Sequence, residues 1–280
     1  MTIYIIGIGL IGGSFALSSK EKGFANRVIG YDASEKNLKK ALELGLIDEA
    51  MDIDNGVAAA DLIVITTPVD IAPSIAVKVL NKVSNKQVVI DMGSIKEELC
   101  EMISMHANRS RFVATHPMWG TEHSGPEAAV SGAFTSRTVV LCEVEKSDED
   151  AREVVENIYK TIGMPILYMG AEEHDLHVAY ISHISHITSF ALALTVLEKE
   201  REEHRIFALA GGGFESTVRL ANSSASTWIP IFLRNKYNVL DVLREHIHQL
   251  QVMRKAIEQD DNEALLKMLS KANTIQKIIH

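Results

Sequence analysis

The chain has 280 residues, 46% of them hydrophobic, with a formal net charge of -9. That length supports a large core divided between two domains. The acidic balance argues against a nucleic-acid partner or an anionic membrane surface, since neither attracts a negatively charged protein.

Two cysteines, Cys100 and Cys142, are too few for a disulfide framework or a thiolate metal site, and they point to a reducing compartment. The apolar N-terminal run, residues 3–17, has no positive flank and is interrupted by four glycines, so it does not read as an export signal. No other run reads as long and apolar enough to span a bilayer. A cytoplasmic protein is expected.

In chain order, residues 2–6 form a short apolar strand, followed by Gly7-Ile-Gly9-Leu10-Ile11-Gly12-Gly13 and a helix-like stretch over 14–22. G-x-G-x-x-G between a strand and a helix is the dinucleotide-binding pattern in its meaningful context. Gly7 serves the turn, Gly9 admits a pyrophosphate, and Gly12 lets helix and strand pack closely. The amides around Leu10 and Ile11 face the phosphates at the helix N-terminus. A second strand, 27–31, leads to Asp32, twenty residues beyond Gly12. An acid there accepts from the ribose hydroxyls and repels a 2′-phosphate, favouring NAD over NADP. Ser34 and Lys36 lie close enough to weaken that preference.

Ser34 caps a helix running to Leu44, closed by Gly45. Strands follow at 61–67, ending before Pro68, and at 87–91, leading into Met92-Gly93-Ser94. Helices are expected over 70–80 and from Ile95. Arg111-Phe-Val-Ala-Thr-His116-Pro117 reads as a buried strand stopped by a residue that cannot donate to a sheet ladder, which leaves His116 at its lip. Strands at 138–142 and 165–169, with a helix at 148–162, complete the alternation. The fold expected for residues 1–170 is a Rossmann-type α/β domain with a doubly wound, mainly parallel sheet. Its strand ends carry Thr66, Thr67, Ser94 and His116, on the edge where such sheets bind ligands.

Residues 171–280 read as an all-α domain. A long helix over 172–201 is apolar over most of its circumference, which predicts burial. It carries His174, His177, Tyr180, His183 and His186 at three-residue steps. Core histidines, a metal site and the polar wall of an active site all compete as readings. Metal is the weakest, because no i,i+4 His pair or nearby Cys completes a ligand set. His174 and His177, near the helix start, read as solvated. His183 and His186, in the apolar portion, need partners. Gly211-Gly212-Gly213 reads as a break, with Arg219 in the first turns of the next helix, held among apolar neighbours to grip a carboxylate. From Trp228 onward the helices are amphipathic and need a partner surface.

With these residues in view, the chain resembles the prephenate and arogenate dehydrogenase family of tyrosine biosynthesis. The resemblance rests on Gly7-Gly9-Gly12, Asp91-Met-Gly-Ser94, His116-Pro-Met with Gly120-Thr121-Glu122, Ser182-His183 with His186, Gly212-Gly213-Phe214 with Arg219, and Trp228. It implies NAD-dependent oxidative decarboxylation of prephenate, two domains and a homodimer built through the helical half. Within it, His116 resembles the base for the substrate's ring hydroxyl, and Ser94 resembles a residue that bonds His116 or that hydroxyl. His186 and Arg219 resemble substrate-binding groups, with His183, Thr121 and Trp228 around the pocket. Gly7, Gly9, Leu10, Ile11, Gly12, Asp32, Thr66, Thr67, Pro68 and Ser94 form the cofactor side. Glu215-Ser216 departs from the pattern, since members often carry a basic residue followed by Asp there. Arogenate or dual-substrate activity therefore stays open. With the chain ending at His280, no appended regulatory domain of the kind some relatives have is expected. A β-hydroxyacid dehydrogenase would place a lysine on the central helix, and 172–198 has none. A non-catalytic NAD-binding protein is the other alternative.

Overall fold

The computed structural model describes residues 1–203 and 205–279. Eight strands, β1 (Thr2–Ile6), β2 (Arg27–Tyr31), β3 (Glu49–Ala50), β4 (Leu62–Ile65), β5 (Val88–Asp91), β6 (Phe112–Pro117), β7 (Val139–Cys142) and β8 (Ile166–Met169), form one sheet. Its order is β3-β2-β1-β4-β5-β6-β7-β8. All neighbours are parallel except β6 and β7, where His116 pairs with Val140 and Pro117 with Val139. Between those two strands the chain returns through a loop rather than a helix, which permits the antiparallel pairing.

Side chains alternate across the strands, so each face of the sheet has its own core. Ile3 and Ile5 pack with Phe15, Val64, Val155 and Tyr159 on one face. Tyr4 and Ile6 pack with Val57, Ile63, Val79 and Leu99 on the other. The covering helices are α1 (Leu10–Glu21), α2 (Glu35–Glu43), α3 (Ile53–Ala59), α4 (Ala72–Leu80), α5 (Glu97–Met102) and α6 (Glu149–Ile162). Ser34 caps α2 by accepting from the Asn37 amide. Strand order reverses beside β1 and β4, so the ligand crevice of such a sheet lies at their carboxyl ends.

After β8 the described chain is helical. Helix α7 (Ala171–Val178) passes through a π-helical turn (Ala179–His183) into α8 (Ile184–Glu203). Helices α9 (Gly212–Val218), α10 (Ala225–Arg234), α11 (Lys236–Glu258) and α12 (Asn262–Ala272) follow. Three sequence-based expectations change here. Helix α8 is not buried within its own chain: Ser189 is its one fully buried residue, and Leu194 is 66% exposed. Its apolar circumference exceeds what the neighbouring helices of a single chain cover. The α7–α8 helix also reaches a mean hydropathy of 1.3 over an 18-residue window, so one helix is long and apolar enough to cross a membrane. The cause is an uncharged run, residues 178–195, with no Asp, Glu, Lys or Arg. Finally, Gly212 and Gly213 open α9 instead of breaking the chain, and Arg219 stands at its C-terminal end.

Candidate active site

At the head of β1 the backbone does what the glycine spacing requires. Gly7 has φ +100, and a Cβ there would meet the Thr66 carbonyl. A Cβ on Gly12 would stand 2.2 Å from the Gly7 carbonyl oxygen, so helix and turn touch backbone to backbone. At Gly9 the space within 4 Å is open, and no side chain caps α1 or adds an acid to its first turn. Asp32 accepts from the Ile8 amide at 2.9 Å and the Ser34 amide at 2.9 Å, which ties the β2 end to the glycine turn. The Thr66 hydroxyl donates to the Ile6 and Gly7 carbonyls and so braces the turn. Thr67 differs, for its hydroxyl is buried with no partner among the described residues. An open glycine, an uncapped helix N-terminus and an orphaned hydroxyl fit a dinucleotide, with Leu10, Ile11 and exposed Pro68 along its border.

Next along the edge, Asp91 ends β5 and forms a wholly buried ion pair with Lys96. Asp91 also accepts from the Gly93 amide at 2.9 Å and the Thr115 amide at 3.2 Å. These bonds bind the Ser94 loop to the strand that carries His116. The Thr115 hydroxyl reaches the Asp91 carbonyl at 2.5 Å and the Tyr159 hydroxyl at 2.6 Å, fixing the base of β6.

His116 itself is half-buried, and its Nδ1 lies 2.8 Å from His174 Nε2. His174 Nδ1 lies 2.7 Å from Asp175 Oδ1, whose carboxylate accepts from the Lys96 amide at 2.7 Å and the Glu97 amide at 2.9 Å. His174 is thus buried and bonded, not solvated as its position near the helix start implied, because α7 docks against the start of α5. His177, one turn on, is exposed. Nδ1 of His116 is engaged by His174, and half-buried Ser94 stands in the β5–α5 loop. Burial holds His116 well below the ordinary histidine pKa, reinforced by His174, Lys96 and His183. An imidazole so placed is uncharged at neutral pH and can accept a proton.

The helical half supplies the opposite wall. Trp228 on α10 packs with Ile231 against Val69 and Ile95, residues of the loops after β4 and β5. His186 stacks on Trp228 with ring centroids 3.4 Å apart and donates from Nδ1 to the Ser182 carbonyl. His183 meets the same indole edge-on and is pushed down to about 4 by burial. Buried Asn235, which the sequence did not single out, donates to the Asp175 carbonyl at 2.7 Å and lies 3.3 Å from His183 Nδ1. Arg219 is 55% exposed and donates to Glu122 at 3.1 Å, one bond rather than a bidentate pair. Glu122 and exposed Thr121 belong to the loop after β6. Exposed Glu215 and Ser216 line an open groove with Arg219. Among the described residues no cluster of three His, Cys, Asp or Glu is arranged to hold a metal.

A dinucleotide crevice beside an uncharged, partly enclosed imidazole, faced by Trp228, His183 and His186, is the arrangement of a nucleotide-dependent oxidoreductase. Residues 15–168 match the family model for the prephenate dehydrogenase nucleotide-binding domain, and residues 170–271 match that for the prephenate dehydrogenase dimerization domain. The chain belongs to the prephenate dehydrogenase family. It is 33% identical to the prephenate dehydrogenase of Bacillus subtilis over 97% of this chain and 74% of that one. It is 31% identical to the cyclohexadienyl dehydrogenase of Zymomonas mobilis over 95% of this chain and 91% of that one. Among solved structures, prephenate dehydrogenase from A. aeolicus in complex with hydroxyphenyl propionate and NAD+ aligns with a TM-score of 0.91. It shares 31% identity, covering 100% of this chain and 98% of the other.

Proposed function

We propose that this protein oxidatively decarboxylates prephenate to 4-hydroxyphenylpyruvate with NAD, in tyrosine biosynthesis. The observation that carries the reading is His116 at the end of β6, with Nδ1 engaged by His174 and Nε2 making no bond to the described residues. When bound between the glycine turn and Asp32, NAD would supply the acceptor for the hydride on the ring carbon bearing the hydroxyl. His116 Nε2 takes the proton of that hydroxyl, so the carbon becomes a ketone. The carboxylate on the opposite ring carbon then leaves as carbon dioxide, and its bonding electrons aromatise the ring onto the oxygen. His116 returns the proton to that oxygen. Aromatisation drives the second half, so the protein's work is to orient the ring and remove one proton.

Gly7, Gly9, Leu10, Ile11, Gly12, Asp32, Thr66, Thr67 and Pro68 hold the cofactor side in this reading, and Ser94 faces the reacting hydroxyl. His186, Thr121, His183 and Trp228 line the substrate side, and Arg219 holds a carboxylate. The two working units are residues 1–170 and 171–280, in a cytoplasmic enzyme. The test is NADH formation and carbon dioxide release with prephenate and with arogenate supplied separately. Release of one equivalent of each from prephenate is expected, and no NADH from either substrate overturns the reading. Exposed Glu215, on the groove it shares with Arg219, favours a second reading in which arogenate is also accepted. Its carboxylate attracts the ammonium of arogenate where a basic residue repels it.

Asp32 gives a separate prediction. Asp32→Ala is expected to lower the NAD to NADP ratio of kcat/KM by about tenfold, equivalent to ~1.4 kcal/mol, through loss of repulsion toward a 2′-phosphate. KM for NAD rises in the same variant, since the Ile8 and Ser34 amides lose their acceptor. Equal use of both cofactors by the wild type refutes the assignment.

The active form in this reading is a homodimer joined through the helical half. Leu194, Leu197, Leu233, Leu250, Leu266 and Leu269 are all exposed on α8, α10, α11 and α12, more apolar surface than a lone domain leaves to water. Light scattering is expected to give twice the 30.9 kDa of one chain. A mass of one chain at micromolar concentration refutes it.

A further inference from the structure

We propose that His174 and Asp175 are positioning residues that hold His116 in the tautomer whose Nε2 is basic, and that they share the charge it gains. The inference rests on the function proposed above for His116, but one of its tests needs no turnover.

From His116 the hydrogen bonds run inward to His174 and Asp175. A carboxylate accepts and never donates, so the 2.7 Å contact to Asp175 Oδ1 places a proton on His174 Nδ1. With that one proton, His174 presents a lone pair at Nε2, and the 2.8 Å contact is then a bond donated by His116 Nδ1. His116 Nε2 is left as the accepting nitrogen. Both inner residues are buried, 1% and 2% exposed, so water does not compete for these bonds.

Asp175 is itself fixed. Its two carboxylate oxygens accept from the Lys96 and Glu97 amides, and its carbonyl accepts from Asn235. Asn238 donates to the Asn235 side-chain oxygen at 2.8 Å, which orients that amide. The line runs from the helical half to the sheet, so docking of the two halves and orientation of the base share the same bonds.

The surrounding charges explain why such a line is needed. Facing the line are Lys96 with Asp91 from the β5 end, Glu97 from α5, and His183 from the π turn, with His186 of α8 beside His183. His174, Lys96 and His183 all oppose a cationic His116. Of the acids, Asp91 is bound to Lys96, whereas Asp175 reaches His116 through a single imidazole. Asp175 is therefore the anion placed to offset the positive charge that forms during proton transfer.

In Asp175→Asn, the amide oxygen keeps the Oδ1 place, where the His174 Nδ1–H and the Lys96 amide both point, so what is lost is the negative charge that offsets a cationic His116. By analogy with an acid that orients a catalytic histidine elsewhere, kcat is expected to fall by roughly 10²–10⁴ with little change in KM. His174→Gln keeps an acceptor for His116 Nδ1, so the loss is smaller, and its pH–rate profile shifts because the acid no longer reaches the base. His174→Leu removes the acceptor and loses as much as Asp175→Asn. Because Asp175 also ties α5, nitrogen-15 NMR of histidine-labelled wild-type protein without substrate reads the tautomer independently of any variant. The expected signature is a protonated Nδ1 and a bare Nε2 on His116. A protonated Nε2 in the wild type overturns the proposal, as does a folded Asp175→Asn variant with wild-type kcat and pH profile. Failure to oxidise prephenate alongside the expected tautomer overturns the substrate reading and leaves this one standing.

Discussion

Substituting asparagine for His116 is expected to lower kcat by about 10²–10⁴ while leaving KM for prephenate nearly unchanged. Asparagine can imitate the Nδ1 donor toward His174, so the packing around β6 survives. It has no titratable nitrogen at the position of Nε2, so the hydroxyl proton has nowhere to go as the hydride leaves. The pH dependence follows from the sign of the shift. A histidine whose pKa is lowered by burial stays uncharged, and hence a competent base, from neutral pH down past the ordinary histidine value near 6.5. The wild-type rate should therefore hold on going from pH 7 to about 6 and fall only in more acidic solution. A rate that already declines between pH 8 and about 7 would mean that a different group is titrating. Steady-state kinetics of both proteins across pH, read as kcat and KM separately, decide the matter. Near-normal turnover by His116→Asn at every pH removes His116 from the chemistry.

What could be read from the sequence was local. Gly7, Gly9 and Gly12 declared themselves because a turn, a close approach and a backbone contact each exclude a side chain at a fixed spacing. His116 declared itself because Pro117 ends the ladder beside it. Where function depends on contact between distant segments, the sequence was mute. His174 lies 58 residues from His116, and its neighbours Glu172, Glu173 and His177 are exposed, so nothing local marked it as buried. The helix-start position pointed to solvent, but docking of α7 on α5 decided the outcome. The Asp91–Lys96 pair was hidden in a similar way, since a lysine at the start of a helix ordinarily reads as solvated. The β3 strand, two residues long, is too short for periodicity to show, and α3 contains Gly56, which reads as a break. That glycine is there for packing: a Cβ on it would run into the Tyr4 ring. The π turn changes helical register without changing composition, so the three-residue histidine spacing gave no warning of it. The apolar girth of α8 was visible, but no other described segment of the same chain covers it.

Arg219→Ala is expected to raise KM for prephenate by roughly 10- to 100-fold, the loss of one charge-assisted hydrogen-bonded contact of about 1.5–3 kcal/mol, with a much smaller effect on kcat. The split follows from where the residue sits. Arg219 is at the end of α9, on the helical wall, and the carboxylate it would grip is held before, during and after hydride transfer. Binding that is uniform along the reaction appears in KM. In the free chain one guanidinium nitrogen donates to Glu122, from the loop that follows His116. Five N–H donors leave room for a second acceptor, so Glu122 need not be displaced by the substrate. Its carboxyl is held below the usual glutamate range by its own backbone N–H and by Arg219. Removing Arg219 therefore leaves an unpaired anion beside the path of a dicarboxylate, and repulsion adds to the lost contact. Adding Glu122→Gln to Arg219→Ala should recover part of the lost affinity, whereas Arg219→Lys, a point charge without the planar fork, should fall between wild type and alanine. KM for prephenate in these four proteins is the measurement. An unchanged KM in Arg219→Ala would mean that the carboxylate is held elsewhere on the helical wall, with His186 beside Trp228 the next group to test.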